Sequence, residues 1–236
     1  MTTLFVGDLH LSDDLPYITK AFYHFLETQA HKAEALYILG DLFEVWLGDD
    51  VADDLALEVA EKLRATSRYT PIYFINGNRD FLLSHQYAKL SGMKLLPEVH
   101  TINLYGKKTV LLHGDTLCTL DEEYQKFRKL RNNPAIRWIY TTMPSGIRRL
   151  IARKVRGKSK KANQSKTQKI MDVTPSAVKQ LMLETKTVQM IHGHTHRPGF
   201  NEVAENKERI VVGDWYDEGS VLEVSPNGAM LTTLPF

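Results

Sequence analysis

Five short motifs in this sequence carry side chains that bind divalent metals. They are Gly7-Asp8-Leu9-His10, Gly40-Asp41, Gly77-Asn78-Arg79-Asp80, His113-Gly114-Asp115 and Gly193-His194-Thr195-His196. Imidazole, carboxylate and amide oxygen together suit borderline or hard ions such as Mn, Fe, Co, Ni or Zn. One ion takes about four to six ligands, whereas Asp8, His10, Asp41, Asn78, His113, His194 and His196 make seven candidates. The surplus predicts two ions sharing a carboxylate, an arrangement that activates water and clamps the oxygens of a phosphoryl group during in-line displacement. Taken singly, Gly-Asp and His-Gly-Asp are ordinary turn chemistry, and His-x-His beside Pro198 passes for a polar loop. The five together predict one site.

Each motif follows a short apolar run, and those runs are what must position it. Thr3–Gly7, Leu36–Leu39 and Ile72–Ile75 read as buried strands, with Pro16–Ala30, Val51–Ala65 and Phe81–Leu90 as intervening helices. This alternation predicts an α/β fold that begins with a largely parallel sheet. Beyond Pro97 the pattern becomes a hairpin, Val99–Leu104 and Thr109–His113 joined through Tyr105-Gly106. Residues 120–183 read as helical, broken at Pro134, Pro144, Gly146 and Gly157, and strands return at Thr187–Ile191, Arg209–Val212, Val221–Val224 and Ala229–Thr233. In an open α/β sheet, ligands gather at the carboxyl ends of the strands. The neighbouring glycines allow the tight turns needed there.

A chain of 236 residues with 43% hydrophobic and 25% charged residues fits one globular domain, here 1–236 with 120–183 as a helical lid inserted in it. The single cysteine, Cys118, excludes an internal disulfide framework and a multi-cysteine zinc site. There is no basic leader followed by an apolar stretch, and no run of the roughly 18–20 apolar residues that spans a membrane. A cytoplasmic protein is therefore expected, with any membrane contact peripheral. The net charge of +2 conceals an asymmetry. Lys126 to Ile170 holds fifteen of the 30 basic residues and none of the 28 acidic ones. Solvated surfaces mix both signs, so the block points to an anionic partner. Within it, Ile147, Leu150, Ile151 and Val155 recur at helical spacing among Arg148, Arg149, Arg153, Lys154 and Arg156, the pattern of a basic amphipathic helix at a membrane surface or over an anionic ligand. Phe127, Trp138, Ile139, Tyr140 and Met143 could line a chamber for acyl chains, stack bases, or form the block's own small core.

The order of the five motifs resembles the calcineurin-like metallophosphoesterases, whose pattern runs D-x-H, G-D, G-N-[HR]-[DE], H-G and G-H-x-H. The resemblance implies a two-sheet sandwich flanked by helices. It further implies that Asp8, His10, Asp41 and His196 hold one ion, and that Asp41, Asn78, His113 and His194 hold the other, with Asp41 bridging. Arg79 stands where most members have histidine. With Leu42-Phe43-Glu44-Val45-Trp46, Asp121-Glu122-Glu123-Tyr124, Ser159 to Lys166 and Ile170-Met171-Asp172-Val173, the chain is similar to the UDP-2,3-diacylglucosamine hydrolase family of lipid A synthesis in Gram-negative bacteria. That likeness implies two Mn(II) ions and catalytic roles for Asp41, Asn78, Arg79 and His113. It also implies substrate contacts from Asn78, Arg79, Asp121, Ser159, Asn163, Lys166 and His194, with Tyr124 a neighbour at helical spacing from Asp121. The reaction it implies is water attack on the α-phosphorus, giving UMP and 2,3-diacylglucosamine 1-phosphate. The implied setting is the cytoplasmic face of the inner membrane, against an anionic lipid surface, with no obligate protein partner and lipid favoured over nucleic acid.

Arg79 makes chemical sense in that setting. Expelling an alkoxide benefits from a general acid such as histidine. Cleaving a pyrophosphate expels a phosphate that is already a good leaving group, so a fixed bidentate cation is more useful than a proton. The alternative is that Arg79 simply pairs with Asp80 at the surface.

Overall fold

Strands whose side chains are apolar on both sides must be covered on both faces, and the first strands here are of that kind. The computed structural model describes residues 1–165, 170 and 172–236, with the side chains of 158–165 outside that description. Strands β1 (Thr3–Val6), β2 (Ala35–Ile38), β3 (Ile72–Phe74) and β4 (Met93–Leu95) run parallel, and the antiparallel β10 (Gly219–Ser225) and β11 (Gly228–Leu234) complete a sheet of order β11-β10-β1-β2-β3-β4. The second sheet has order β5-β6-β7-β9-β8, from β5 (Val99–Leu104), β6 (Lys107–Leu112), β7 (Gln189–His192), β8 (Gly199–Ala204) and β9 (Lys207–Val211). In it β6, β7 and β9 are parallel and the two outer strands antiparallel. The two-sheet sandwich expected from the motifs is the observed fold.

Alternation along each strand divides the core into layers. Phe5, Tyr37, Leu111, Ile191 and Leu222 pack between the sheets. Leu4, Val6, Leu36 and Ile38 point the other way, into a larger cluster with Phe22 and Phe25 of α1 (Pro16–Thr28), Val59 and Leu63 of α2 (Asp54–Thr66), and Tyr87 of α3 (His85–Ser91). Trp215 is fully buried there, edge-on to Phe22 at 5.9 Å and to Phe25 at 5.8 Å. Burying one such side chain is worth about 1.5–3 kcal/mol. Val110, Leu112 and Met190 face outward from the second sheet onto Val178 and Met182 of α7 (Pro175–Glu184).

Local chemistry sets the element ends. Pro16, Pro134 and Pro175 begin helices where their missing N–H is no loss. Asp53 accepts a hydrogen bond from the Ala56 amide at 2.9 Å to start α2. The helix expected over Phe81–Leu90 begins only at His85, because 81–84 form a turn stitched by Asn76 Nδ2 donating to the carbonyls of Asp80 (2.9 Å) and Leu83 (3.0 Å). The β5–β6 hairpin turns through Tyr105 and Gly106, both at positive φ, which matches the twist of the paired strands.

The helical block between β6 and β7 is not uniform. Its last described helix, α7, lies in the apolar flank of the second sheet. The preceding α4 (Glu122–Arg131), α5 (Pro134–Thr142) and α6 (Ser145–Ser165) carry most of the exposed large apolar residues of the block, Trp138 reaching 68% exposure. The amphipathic reading of α6 is overturned in part. Ile147 and Leu150 are exposed, whereas Arg148 is buried, donating to the carbonyls of Met143 (2.8 Å) and Leu47 (3.0 Å) and to Asp50 Oδ1 (2.8 Å). Arg128 and Arg131 are likewise turned inward. A buried guanidinium with a full set of acceptors anchors a helix, so part of the basic block serves the fold and not a partner.

Candidate metal centre

All five motifs lie at carboxyl ends of strands, three from the first sheet (β1, β2, β3) and two from the second (β6, β7). The chain turns so sharply there that Asp8, His10 and Asp41 have φ of 52°, His196 53° and His194 70°. Left-handed backbone outside glycine is uncommon and concentrates at functional loops. Here main-chain bonds hold it: the amide of Asp8 donates to the Gly40 carbonyl at 3.0 Å and that of His10 to the Asp41 carbonyl at 3.0 Å. The intervening glycines are required by contact. A Cβ on Gly77 would stand 2.2 Å from Asp41 Oδ1, and one on Gly193 would stand 2.4 Å from Asp8 Oδ2.

The candidate ligand atoms converge. One oxygen of Asp8 with nitrogens of His10 and His196, and again Asp8 with Asp41 and His113, form groups whose atoms lie within 4.8 Å of one another. Asp41 Oδ2 stands 3.9 Å from His10 Nε2 and 3.8 Å from His113 Nε2. Two carboxylates, Asp8 and Asp41, thus lie between the two sets of imidazoles. Asn78 Oδ1 is 3.2 Å from His113 Nε2, and the His194 ring is 5.0 Å from that of His113.

Three of the four imidazoles are oriented by a partner behind them. His113 Nδ1 donates to the Leu39 carbonyl at 2.8 Å, which leaves Nε2 with its lone pair facing Asp41 and Asn78. Glu44 Oε2 lies 2.8 Å from His10 Nδ1, and Asp214 Oδ2 lies 2.6 Å from His196 Nδ1. Carboxylates and carbonyls in this outer position fix the tautomer of metal-binding histidines. Asp8 Oδ1 and His10 Nε2 are buried with no hydrogen-bond partner among the described residues. Burial works against charge on His196, yet Asp214 and Asp8 outweigh it and push its pKa up to about 10. The His194 imidazole is pushed down to about 4, by burial first and His113 next. The carboxylates of Asp8 and Asp41 and the imidazoles of His10, His113, His194 and His196 face one another in a set that divalent cations complete by displacing imidazole protons, so the residues present fit such ions.

A calcineurin-like phosphoesterase family model matches residues 1–198, a span that includes all five motifs. The chain belongs to that family. A Shewanella loihica protein named UDP-2,3-diacylglucosamine hydrolase is 59% identical over 234 residues, covering 99% of this chain and 97% of the relative. A Shewanella oneidensis protein of the same name is 58% identical over 236 residues, covering 100% and 99%. Identity of that order along the whole length puts this calcineurin-like phosphoesterase in one family with those hydrolases, as a metal-dependent hydrolase. A solved archaeal phosphodiesterase covers 99% of this chain and 100% of its own at a TM-score of 0.51 and 14% identity, which shows the fold alone.

The remaining sequence-derived positions fall in several places. Arg79 sits at the cluster's rim, its amide donating to Asp41 Oδ1 at 2.7 Å. It does not pair with Asp80, which is fully buried and accepts from the amides of Leu42 (2.7 Å) and Gly77 (2.8 Å). Asp121 caps α4 through the Tyr124 amide at 3.1 Å, and Tyr124 donates its hydroxyl to Asp115 Oδ2 at 2.5 Å with its ring 6.2 Å from His194. Ser159 and Asn163 lie on α6 with their side chains outside the description, and Lys166 lies outside the described residues. Sequence reasoning missed Glu44, Asp80 and Asp214 as supports of the ligands. For Asp214 a signal existed: Gly213-Asp214 follows the strand run Arg209–Val212 just as Gly40-Asp41 follows β2.

Proposed function

We propose that this protein hydrolyses the pyrophosphate bond of UDP-2,3-diacylglucosamine by water attack on the α-phosphorus, releasing UMP and 2,3-diacylglucosamine 1-phosphate in lipid A synthesis. The observation that carries the reading is Arg79 beside the Asp8–Asp41 cluster, its amide on Asp41 and its Nε buried without a hydrogen-bond partner among the described residues. Asp8, His10, Asp41 and His196 would hold one ion and Asp41, Asn78, His113 and His194 the other, with Mn(II) as the native metal. Bound there, the ions supply Lewis acidity toward phosphoryl oxygens and acidify a water near neutral pH.

The protein's own groups do the rest. Asp41 takes its orientation from the Arg79 amide, so one residue both sets a ligand and offers a guanidinium to the phosphate that leaves. A permanently charged fork meets charge that develops in the transition state, and it needs no proton transfer. Asp121, Tyr124, Ser159, Asn163, Lys166 and His194 would contact the substrate. A cavity between the segment after β2 and α6, lined by Val45, Leu47, Ala152, Arg149, Arg153 and Arg156, offers apolar walls with cations at one side. That composition supports acyl chains beside an anionic head group, and the exposed apolar residues of α5 and α6 support peripheral contact with an anionic bilayer at the cytoplasmic face of the inner membrane. No helix among the described residues is long and apolar enough to cross a membrane.

The test is direct. Purified protein with Mn(II) is mixed with UDP-2,3-diacylglucosamine and UMP release is followed. UMP with incorporation of solvent oxygen into its phosphate is the expected result. UDP as product, or turnover confined to DNA or a cyclic dinucleotide, overturns the proposal.

A further inference from the structure

Three side chains on one face of α4, Tyr124, Arg128 and Arg131, share a single acceptor. Asp115 Oδ2 takes the Tyr124 hydroxyl at 2.5 Å, Arg128 Nε at 3.0 Å and Arg131 Nη2 at 3.2 Å. The Asp115 carboxylate is therefore satisfied by Tyr124 and Arg128 alone. Arg131 goes further. Its other arm, Nη1, donates to the main-chain carbonyl of Asn78 at 2.6 Å, across 53 residues of sequence. The guanidinium is buried at 7% exposure and stacked 4.6 Å from the Phe81 ring. The peptide it grips joins Asn78 to Arg79, and the N–H of that same peptide donates to Asp41 Oδ1 at 2.7 Å. One peptide plane is thus held at its oxygen by a cation and at its nitrogen by a carboxylate between the imidazoles. A cation on the carbonyl polarises the amide and strengthens its N–H as a donor.

We propose that Arg131 is a positioning residue for the metal centre: it fixes the Asn78–Arg79 peptide, and through it the Asp41 carboxylate and the start of the Arg79 side chain, while tying α4 to the cluster. The inference rests on Asp41 and Asn78 being metal ligands. It is independent of which phosphate ester is cleaved. The fork geometry is essential to it, because a lysine ammonium can reach the Asn78 carbonyl or Asp115 without spanning both as a rigid pair.

The test compares wild type with Arg131→Met, Arg131→Lys and Asp115→Asn. Mn(II) affinity is measured by calorimetry on the metal-stripped protein, thermal midpoints are recorded, and kcat and KM for UDP-2,3-diacylglucosamine are separated. Loss of a partner behind a metal ligand lowers metal affinity or turnover about 10–100-fold. Arg131→Met is expected to show a loss of that size in Mn(II) affinity and in kcat, with KM changed less than kcat. Arg131→Lys should recover part of both, and Asp115→Asn should show a smaller loss in the same direction. If Arg131→Met does not fold, the lysine and Asp115→Asn variants carry the comparison. Folded variants with lowered midpoints but wild-type Mn(II) affinity and kcat overturn the proposal, because Arg131 then only stabilises the fold. A wild type that binds Mn(II) but releases no UMP overturns the substrate reading instead, and the affinities still decide the role of Arg131.

Discussion

Asp41 is constrained at both oxygens, by the Arg79 amide on one and by the opposed imidazoles of His10 and His113 on the other. Replacing it with asparagine keeps the shape and removes the charge between them. Asp41→Asn should lower UMP release by more than about a hundredfold, since losses behind the ligands alone reach that size. Circular dichroism and the thermal midpoint should still report a folded protein. Near-normal activity of that variant with saturating Mn(II) would contradict the shared-carboxylate arrangement. Arg79→Ala poses a different question, because its amide survives the substitution. Turnover of the UDP-lipid should fall about 10²–10³-fold, as for loss of a donor to developing charge, while Mn(II) content by elemental analysis stays at the wild-type level. Loss of metal in step with activity would show that the side chain supports the cage and does not assist the leaving phosphate. At this scale the sequence was highly legible for the clustered side chains, because each lies within three residues of a glycine just after a strand. It was much less so for their supports. Glu44 and Asp214 reach His10 and His196 only once β1, β2 and the segment after β9 are side by side, a proximity no local pattern records.

Elements show where periodicity suffices and where it misleads. The parallel strands β1, β2 and β3 were readable because both faces are apolar, and the β5–β6 hairpin because of its Tyr-Gly turn. The short β4 was not recognised because three residues, one of them an exposed lysine, give too little pattern. The edge strand β8 alternates half-buried and exposed positions with no apolar run, so it too leaves no strand signal in the sequence. Helix α6 is the more instructive case. Helical spacing assigned Ile147 and Leu150 to a common face, and the spacing is real. What docks the helix, however, is Arg148, which binds the Leu47 carbonyl and Asp50 about a hundred residues earlier in the chain. Gly48 makes room for it: a Cβ there would stand 2.7 Å from Arg148 Nη1. Arg148→Met should therefore release the first turns of α6 at a cost of about 2 kcal/mol, the scale of hydrogen bonds made by a charged donor. Faster amide exchange over 145–157 is the expected readout, with Mn(II) affinity unchanged. Unaltered exchange would mean that the apolar contacts of α6 hold it without the guanidinium.

Across the whole molecule, the basic block divides into a part that belongs to the body and a part that stands off it. Through Arg128 and Arg131, α4 reaches the segment beside the metal centre, and α7 seals the second sheet. Helices α5 and α6 leave large apolar side chains such as Trp138, Ile139 and Leu150 in solvent, and α6 carries unburied cations such as Arg149 and Arg153. Replacing those two helices with a flexible linker should leave Mn(II) binding and the hydrolysis of a small activated phosphodiester near wild type. Activity on the diacylated substrate and retention on anionic vesicles should both fall steeply, the latter already weakened in wild type by salt, since each nearby cation contributes about 1 kcal/mol at such a surface. An unchanged ratio of the two activities would make α5 and α6 part of the catalytic fold. The order of the strands has a consequence in time. The cluster draws on both sheets, with candidate ligands from residue 8 to residue 196 and a support at 214. Synthesis delivers the N-terminal sheet's β1–β4 first, with Asp8, His10, Asp41 and Asn78 already in place but no imidazole from β6 or β7 opposite them. A nascent chain therefore carries an open half-site from residue 78 until the imidazoles of residues 113, 194 and 196 have been made opposite it.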